Sequence, residues 1–528
     1  MAKVPTFASV DPFNGMTSES PETLQSLMGG RWTEHNGNFV ELPDPMTGET
    51  FLLTPDTKDL TKCIEGLKSC PKSGLHNPLK NPDRYVYLGE VCANAARLLA
   101  DSEISDYFTK LTQRVMPKSW NQCLGEVEVT RIFLENLAGD GVRFLARGFS
   151  NPGNHIGQES RGYRWPYGPV VIIAPFNFPL EIPALQLMGA LAMGNRPLIK
   201  PETRVGVVLE QYVRLLIHAG LDPNDLDMVH CKGSVIGSMI ESNNDQIRLV
   251  QFTGSSGVAE HLTELMHGAV RIEDAGFDWK VIGPDYHPED LDYVAWQCDE
   301  DAYNAAGQKC SAQSIILSHD NWTSTLIPKL KILAERRSLD DLTLGPILSW
   351  TNEQMLGHID AVLAVPGAEL LFGGNVLEGH TIPDCYGAIE ATAIRVPIDA
   401  LDDDDNFELV TTELFGPFQI IVSWSDGELP KVLQILERMS HHLTAAVVSR
   451  DISFQNSVLG ATVNGTTYSG VRARTTGAPQ NHWFGPGGDP RGAGIGTAEA
   501  IQITWSHHRE VIMDQGPIPN EWKIPELK

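Results

Sequence analysis

Paired cysteines, long apolar runs and positive charge are all scarce in this chain of 528 residues. The eight cysteines include no C-x-x-C pair, which excludes a disulfide scaffold or a zinc ribbon and favours a reducing compartment. No run approaches the roughly 18 apolar residues of a membrane-spanning helix. Lys and Arg number 40 against 67 Asp and Glu, a net charge of −27, so DNA, RNA and anionic membranes are excluded as partners by repulsion.

Familiar ligand signatures are missing as well. The chain has neither a G-x-G-x-x-G nor a Walker A loop. The pairs His441–His442 and His507–His508 lack metal-site spacing, so no metal is predicted. The opening MAKVPTFASVDPFNG resembles neither a signal peptide nor a transit helix. We therefore expect either a cytosolic protein or one whose import sequence has been removed.

The pattern from Tyr167 onward predicts an α/β fold. The apolar segments GPVVIIAPF, RPLIK, LDMVHC, IRLVQFTGS and VRIEDA are predicted strands, and LEIPALQLMGALAMG and RVGVVLEQYVRLLIHAG are predicted helices. This alternation indicates βαβ units around a parallel sheet covered on both faces. A second series from about residue 290 to 465 predicts a second sheet-centred domain, and the tail IQITWSHHREVI is predicted to be extended.

Cys310 lies in YNAAGQKCSAQSIIL, just ahead of an apolar strand. A lone cysteine is usually a buried packing residue. The alternative is a nucleophile, since a thiolate attacks carbonyl carbons readily.

Other segments place polar groups where predicted strands end, and each has an ordinary structural alternative. Asn177 in APFNFPLEIP is either a turn residue or a donor to an oxyanion. Ser255 in LVQFTGSSGVAEHL is either a helix N-cap or the start of a pyrophosphate site. Glu273 in VRIEDAGFDWK is either ion-paired or functional. Glu413 in ELFGPFQIIV is compatible with a plain turn.

In this order along the chain, these segments resemble the aldehyde dehydrogenase superfamily. The order is PFNFP at 175–179, KP at 200–201, FTGS at 252–255, Glu273, GQKC at 307–310 and ELFGP at 413–417. The segments GYRWPYGPV, VRIEDAGFDWK, GQKCSAQS, NGTTYSG, RTTGAPQNHWFGP and GDPRGAGIGT are similar to one branch, the plant-type Δ1-pyrroline-5-carboxylate dehydrogenases. The resemblance extends over nearly the whole chain.

The resemblance implies NAD-dependent oxidation of L-glutamate γ-semialdehyde, the ring-opened form of 1-pyrroline-5-carboxylate, to L-glutamate in proline catabolism. Cys310 would attack the aldehyde as a thiolate of lowered pKa. The Asn177 amide and the Cys310 backbone N–H would hold the oxyanion. After hydride transfer to NAD, Glu273 would activate the water that hydrolyses the thioester.

The resemblance also implies ligand-binding positions. For the cofactor these are Phe176, Lys200, Glu202, Gly233, Phe252, Gly254, Ser255, Glu413 and Phe415. Thr203 stands where many relatives have an acid, which weakens the preference for NAD over NADP, while Glu202 beside it favours NAD. For the substrate the implied positions are Phe178, Ser311, Gly492 and Ala493, the last two acting through main-chain N–H groups of an RGAG loop.

The implied architecture is a Rossmann-variant cofactor domain, an α/β catalytic domain and a small β oligomerisation flap. The expected bounds are 1–154 and 169–272 for the NAD-binding domain, 273–480 for the catalytic domain, 155–168 and 498–518 for the flap, and 481–497 for a substrate-anchor loop. The flap predicts a homo-oligomer, because exposed sheet edges need cover. A mitochondrial matrix location follows from the family alone.

Three alternatives stay open. The enzyme could act on another small semialdehyde such as succinate semialdehyde, it could be a non-catalytic relative, or it could acylate CoA. Joint retention of Cys310, Glu273 and Asn177 argues against a silent relative, and Glu273 argues for hydrolysis over CoA acylation. The loop Glu273-Asp274-Ala275-Gly276 departs from the usual Glu-Leu-Gly-Gly, which predicts less backbone freedom beside the base.

Overall fold

The computed structural model describes residues 3–274 and 276–527. Twenty strands lie within them: β1 Glu22–Thr23, β2 Ser26–Met28, β3 Arg31–Thr33, β4 Phe39–Pro43, β5 Thr50–Pro55, β6 Phe149–Pro152, β7 Gln158–Pro166, β8 Pro169–Ile173, β9 Arg196–Lys200, β10 Asp227–Met228, β11 Leu249–Thr253, β12 Val270–Glu273, β13 Asp278–Ile282, β14 Gln313–His319, β15 Glu369–Phe372, β16 Thr392–Arg395, β17 Phe418–Trp424, β18 Thr444–Val448, β19 Thr466–Ser469 and β20 Ser506–Asp514.

Sixteen α-helices lie within the same residues: α1 Thr61–Ser69, α2 Asp83–Leu99, α3 Ser102–Val115, α4 Trp120–Leu137, α5 Asp140–Leu145, α6 Glu181–Ala192, α7 Gly206–His218, α8 Gly233–Ser242, α9 Ser256–Leu265, α10 Leu291–Tyr303, α11 Asp320–Ala334, α12 Asn352–Leu363, α13 Asp404–Val410, α14 Leu429–Arg438, α15 Ile452–Leu459 and α16 Ala498–Trp505. Over the described residues, no helix is both long and apolar enough to cross a membrane.

The first large sheet has the strand order β12-β11-β8-β9-β10-β2-β3. Strands β8 to β12 run parallel, and β2 and β3 add an antiparallel edge. Every residue of α6 is buried, and apolar clusters fill both faces of the sheet. Burial on both faces explains why these strands are continuous apolar runs in the sequence, and the predicted βαβ arrangement is confirmed.

The second large sheet has the order β15-β16-β17-β14-β13-β18-β19. All its pairings are parallel except that of β15 with β16. Two further apolar clusters cover its faces. The predicted second sheet-centred unit is therefore present, and the nucleophile segment runs directly into its central strand β14.

A three-stranded antiparallel sheet, β20-β7-β6, stands apart from both. Its first strand begins at Phe149, six residues ahead of the flap boundary expected at 155. The prediction that the tail is extended from residue 501 is wrong, because α16 runs to Trp505 before β20 begins. Thr497 caps this helix by accepting the Ala500 N–H, and its buried residues recur at helical spacing.

Candidate active site

The nucleophile segment between α10 and β14 has an unusual backbone. Ala305, Ala306 and Gly307 are consecutive and all have positive φ, at 55°, 51° and 68°. Such conformations are rare for residues with a Cβ and are retained where the surrounding structure enforces them, most often at functional sites. The Gln308 side chain fixes the turn, since its amide donates to the Pro346 carbonyl at 3.0 Å and its oxygen accepts the Leu348 N–H at 2.8 Å.

Buried polar contacts hold both neighbours of Cys310. The Lys309 ammonium donates to the Glu300 carbonyl and to the Thr476 hydroxyl, each at 2.9 Å. Burial lowers the pKa of Lys309 to about 8. The Thr476 hydroxyl also donates to the Ser311 carbonyl at 3.2 Å. The cysteine is thereby held between two anchored residues, and it is itself half-buried.

Glu273 ends β12 with its side chain facing the nucleophile. It is 4% exposed, its Oε1 has no hydrogen-bond partner among the described residues, and the Cys310 thiol is close enough to affect its titration. Burial raises the pKa of Glu273 to about 7, opposed by the thiol and reinforced by Asp274. A carboxylate with a pKa near neutrality is suited to general base catalysis at physiological pH.

The thiol of Cys310 has a raised pKa, so the expectation of a lowered one is wrong. Burial is the main cause, followed by the negative charges of Glu273, Asp278 and Glu413. The free thiol is therefore protonated at neutral pH. A thiol of this kind attacks a carbonyl carbon only after a nearby base has taken its proton, and Glu273 is the acidic neighbour that most raises the pKa of Cys310.

A cavity of about 190 Å³ opens over Cys310. Pockets for drug-sized ligands are larger, about 300–1,000 Å³, so this space suits a short aldehyde. Ser311 and Phe178, both predicted substrate residues, line it. We call this space, with its lining, the substrate cavity.

Gly492 and Ala493 are not on the wall of the substrate cavity, which corrects their predicted role. The Ala493 N–H donates to the Ile272 carbonyl and the Gly492 N–H to the Asp489 carbonyl, each at 2.9 Å. The Ile272 N–H in turn donates to the Arg491 carbonyl at 2.9 Å. This segment is paired with the edge of β12, so its amides are not free to bind a substrate carboxylate.

Gly477 and Ala478 line the substrate cavity, in the place that was predicted for Gly492 and Ala493. Neither backbone N–H has a hydrogen-bond acceptor among residues 3–274 and 276–527. The segment RTTGAPQNHWFGP carries them and belongs to the resemblance, but no role was assigned to it from sequence. The glycine-alanine dipeptide directly after two threonines was the available signal.

A buried ion pair supports the cavity on another side and was also missed. Lys118 and Glu126 are 2.5 Å apart, and each side chain is about 1% exposed. The Lys118 ammonium donates to the Asn177 carbonyl at 3.0 Å and lies 4.2 Å from the centre of the Phe178 ring. Asn177 is 5% exposed. The pair therefore fixes the backbone of the predicted oxyanion donor and the ring beside it.

The predicted pyrophosphate site has the right local geometry. Ser255 occupies the N-cap position of α9, but its side chain makes no capping hydrogen bond. In the described part of the chain, the N–H groups of Ser256 and Gly257 have no acceptor, nor do those of Gly233 and Ser234 at the start of α8. Free N–H groups at helix N-termini bind phosphates, so these residues fit a dinucleotide.

The remaining predicted cofactor residues lie in or within a few residues of strands β8, β9, β11 and β17. Lys200 ends β9 and is buried, Phe252 is buried in β11, and the Gly254 N–H donates to the Glu273 carbonyl at 3.2 Å. The rings of Phe176 and Phe415 are in edge contact, with centres 5.9 Å apart. Burial raises the pKa of Glu413 well above its usual range, with Asp278 adding to the rise and the Gly276 backbone opposing it. Ala275, in the departing loop, lies outside the described residues.

Glu202 is not a free carboxylate. It pairs with Arg204, whose Nε lies 3.0 Å from Oε1. The Arg204 guanidinium lies 4.9 Å from the centre of the Phe176 ring and also donates to the Leu348 carbonyl. Arg204 therefore places a positive charge next to Glu202, the residue that was expected to repel the 2′-phosphate of NADP.

The profile of the aldehyde dehydrogenase family matches residues 88–488, most of the chain. The chain belongs to the aldehyde dehydrogenase family. This aldehyde dehydrogenase is 54% identical over 523 residues to "Delta-1-pyrroline-5-carboxylate dehydrogenase 12A1, mitochondrial" of Arabidopsis thaliana, covering 98% of this chain and 93% of the relative. It is 53% identical over 522 residues to a "Probable aldehyde dehydrogenase" of Linum usitatissimum, covering 98% and 94% of the two chains.

Solved structures confirm the predicted fold of this aldehyde dehydrogenase. Betaine aldehyde dehydrogenase of Staphylococcus aureus, in complex with NAD+, matches with a TM-score of 0.79 at 19% identity, over 95% of this chain and 97% of that one. The NADP-dependent glyceraldehyde-3-phosphate dehydrogenase of Bacillus halodurans, complexed with NADP, matches with a TM-score of 0.78 at 22% identity, over 94% and 100%.

Proposed function

We propose that this aldehyde dehydrogenase oxidises L-glutamate γ-semialdehyde, formed from 1-pyrroline-5-carboxylate by ring opening, to L-glutamate in proline catabolism. The 54% identity to a named pyrroline-5-carboxylate dehydrogenase over 98% of the chain supports the substrate. The observation that carries the chemistry is the unpartnered, buried carboxylate of Glu273 next to Cys310, which lines a small cavity.

The first step is attack of the Cys310 sulfur on the aldehyde carbon. Glu273 accepts the thiol proton, and the aldehyde oxygen becomes an oxyanion. The Asn177 side-chain amide and the Cys310 backbone N–H stabilise that charge, since preorganised donors do so most effectively where water is excluded. Lys118 holds Asn177 in place through its carbonyl.

A nicotinamide dinucleotide, when bound, supplies the hydride acceptor that oxidation requires. The starts of α8 and α9 would hold its pyrophosphate, Lys200 and Glu202 its adenosine ribose, and Glu413 and Phe415 its nicotinamide end. We propose NAD as the natural cofactor because Glu202 disfavours a 2′-phosphate. Arg204 offsets part of that charge, so KM should be measured for both NAD and NADP, and a lower KM for NADP would reverse the assignment.

The last step is hydrolysis of the Cys310 thioester. Glu273 first releases the thiol proton to solvent and then takes a proton from water. The hydroxide so formed attacks the acyl carbon, the bond from that carbon to the Cys310 sulfur breaks, and glutamate is released. A base with a pKa of about 7 is largely ionised in a mildly alkaline compartment. This supports hydrolysis over transfer of the acyl group to CoA.

The substrate α-carboxylate would bind to the free amides of Gly477 and Ala478, with the Ser311 hydroxyl beside them. Phe178 would pack on the aliphatic stem. All four residues line the same cavity as the nucleophile. Unpaired backbone donors in a buried wall are stabilised by an anionic ligand, because a buried N–H without an acceptor is costly.

We further propose a homo-oligomer in the mitochondrial matrix. The location is supported by the Arabidopsis relative, whose name is mitochondrial. The oligomer is supported by β20, a nine-residue edge strand paired only with β7 among the described residues. Exposed edges of this length invite pairing. Light scattering on the purified protein tests it, and a monomer at micromolar concentration would contradict it.

The deciding experiment measures NADH formation with 1-pyrroline-5-carboxylate beside succinate semialdehyde. We expect kcat/KM to favour the former by more than about tenfold, a difference worth about 1.4 kcal/mol in transition-state binding. A preference of that size for succinate semialdehyde would replace the proposed substrate. Absence of turnover with every aldehyde would indicate a non-catalytic relative.

A further inference from the structure

Glu181 is a buried carboxylate on the wall of the substrate cavity that the reaction itself does not use. It is the first residue of α6, a helix whose residues are all buried, and it is 7% exposed. Its side chain lines the same cavity as Cys310 and Phe178. A charged residue at this position is expensive unless something pairs with it.

The neighbouring carboxylate, Glu126, is fully engaged. It pairs with Lys118 at 2.5 Å and accepts the backbone N–H groups of Leu180 and Glu181 at 3.1 and 3.3 Å. The Glu181 carboxylate, by contrast, has no hydrogen-bond or ion-pair partner within residues 3–274 and 276–527, although its atoms border the cavity. Two acids therefore face one space, and only one of them is satisfied by the protein.

The cations that line the cavity are committed elsewhere. Lys118 is held by Glu126 and the Asn177 carbonyl, and Lys309 by the Glu300 carbonyl and the Thr476 hydroxyl. Neither donates to Glu181. A positive group on a ligand would therefore find a desolvated carboxylate with unused acceptor capacity, the setting in which charge-assisted hydrogen bonds are strongest.

We infer that Glu181 binds the α-ammonium group of the substrate and so selects amino acid aldehydes over plain oxo-acids. The inference rests on the proposed function and deepens it. Gly477 and Ala478 would take the α-carboxylate while Glu181 takes the ammonium on the same carbon. The aldehyde then reaches Cys310 only when both charges of the amino acid end are matched.

The charges around Glu181 favour a carboxyl group that is protonated in the empty cavity and becomes ionised when an ammonium ligand binds. Burial raises the pKa of Glu181 to about 8, with Glu126 and Glu273 raising it further and Lys118 lowering it. At neutral pH the empty site is therefore mostly protonated, which avoids an isolated buried charge. An ammonium ligand favours the ionised carboxylate and displaces that proton.

The test compares wild type with Glu181→Gln on two aldehydes that differ only in the amino group, L-glutamate γ-semialdehyde and glutarate semialdehyde. We expect the ratio of their kcat/KM values to fall by about tenfold to a hundredfold in Glu181→Gln, the range for loss of a charge-assisted hydrogen bond. Glu181→Asp should restore part of the ratio. Ile182→Val, an apolar change on the same wall, should leave the ratio close to that of wild type.

Binding of the product gives an independent readout. In calorimetry, L-glutamate should bind wild type more tightly than glutarate does, and Glu181→Gln should remove that difference. An unchanged kcat/KM ratio in a folded Glu181→Gln protein would overturn the inference. So would an equal loss for both aldehydes with a shifted pH profile, which would instead assign Glu181 to proton transfer with Glu273. Failure of wild type to oxidise glutamate γ-semialdehyde at all would instead overturn the proposed function.

Discussion

Replacing Glu273 with glutamine should separate the two halves of the reaction. Glutamine keeps the shape of the side chain, but it cannot take a proton from the thiol or from water. Hydrolysis of the thioester should therefore slow by about 10²–10⁴, the usual contribution of a positioned general base. Attack by the thiol should slow less than hydrolysis, because water can still accept the thiol proton. In rapid-mixing experiments with excess substrate, a burst of about one NADH per active site should therefore still precede the steady state, but it should form more slowly than in wild type.

The pH dependence of kcat in wild type measures how strongly turnover depends on the ionised form of Glu273. With a pKa of about 7, Glu273 is ionised in roughly one molecule in ten at pH 6 and nine in ten at pH 8. When hydrolysis limits turnover, kcat should rise about ninefold between these values and be flat in Glu273→Gln. Glu181 and Lys309 have pKa values of about 8, so Glu181→Gln should retain a midpoint near 7.

Two results would refute this reasoning. An unchanged midpoint in Glu273→Gln would show that another group titrates. Loss of the burst together with the steady state would show that attack by the thiol depends on Glu273 more than hydrolysis does.

Ionisation of Glu273 at high pH should lower the free energy of unfolding. Its folded pKa of about 7 lies above the ordinary 4.5, a difference worth about 3 kcal/mol. The folded state holds this proton more tightly than the unfolded chain, so the stabilisation is complete below pH 4.5 and is lost as the pH rises through 7. Glu273→Gln should raise the free energy of unfolding by up to about 3 kcal/mol at pH 8 and very little near pH 4.5. Equal denaturation midpoints at pH 8 would contradict this.

Three further changes test other parts of the site. Cys310→Ala should abolish turnover while NAD binding, followed by fluorescence, persists; residual turnover would refute the nucleophile. Gly307→Ala should destabilise the protein by about 1–3 kcal/mol or more and lower kcat, since φ is +68° and a Cβ would collide with the Gly416 carbonyl; a fully active, equally stable variant would show that the turn is not constrained. Lys118→Met should cost about 3–5 kcal/mol in chemical denaturation by leaving Glu126 unpaired, and adding Glu126→Leu should recover part of it; no recovery would indicate that the lysine acts mainly through other contacts.

The fold followed from the sequence where one physical constraint dominates. Strands such as β8 and β9 are buried on both faces, so they appear as unbroken apolar runs, and the helices between them are long enough to cross the sheet. The tail failed because residues 500–505 contain β-branched and aromatic side chains that suit either state. Their packing decides for α16, and packing is not visible in a local pattern.

For the candidate site, the sequence predicted several of the residues but not their contacts or their pKa values. Cys310 and Glu273 were recognised through resemblance, but only the folded chain shows that the thiol and the carboxylate are buried neighbours and that both pKa values are raised. The anchor was misplaced because the dipeptide Gly-Ala occurs at 477–478 and again at 492–493. Sequence does not distinguish the copy that borders the cavity from the copy that pairs with β12, since that depends on the course of the tail.

That pairing sets an order of events during synthesis. The last strand of the cofactor sheet ends in the catalytic base, and its outer edge is completed by residues 491–493, which leave the ribosome more than two hundred positions later. A nascent chain that has not yet released this segment has an open edge next to Glu273. A premature stop before this segment therefore removes the support of the base even when Asn177, Glu273 and Cys310 have all been made.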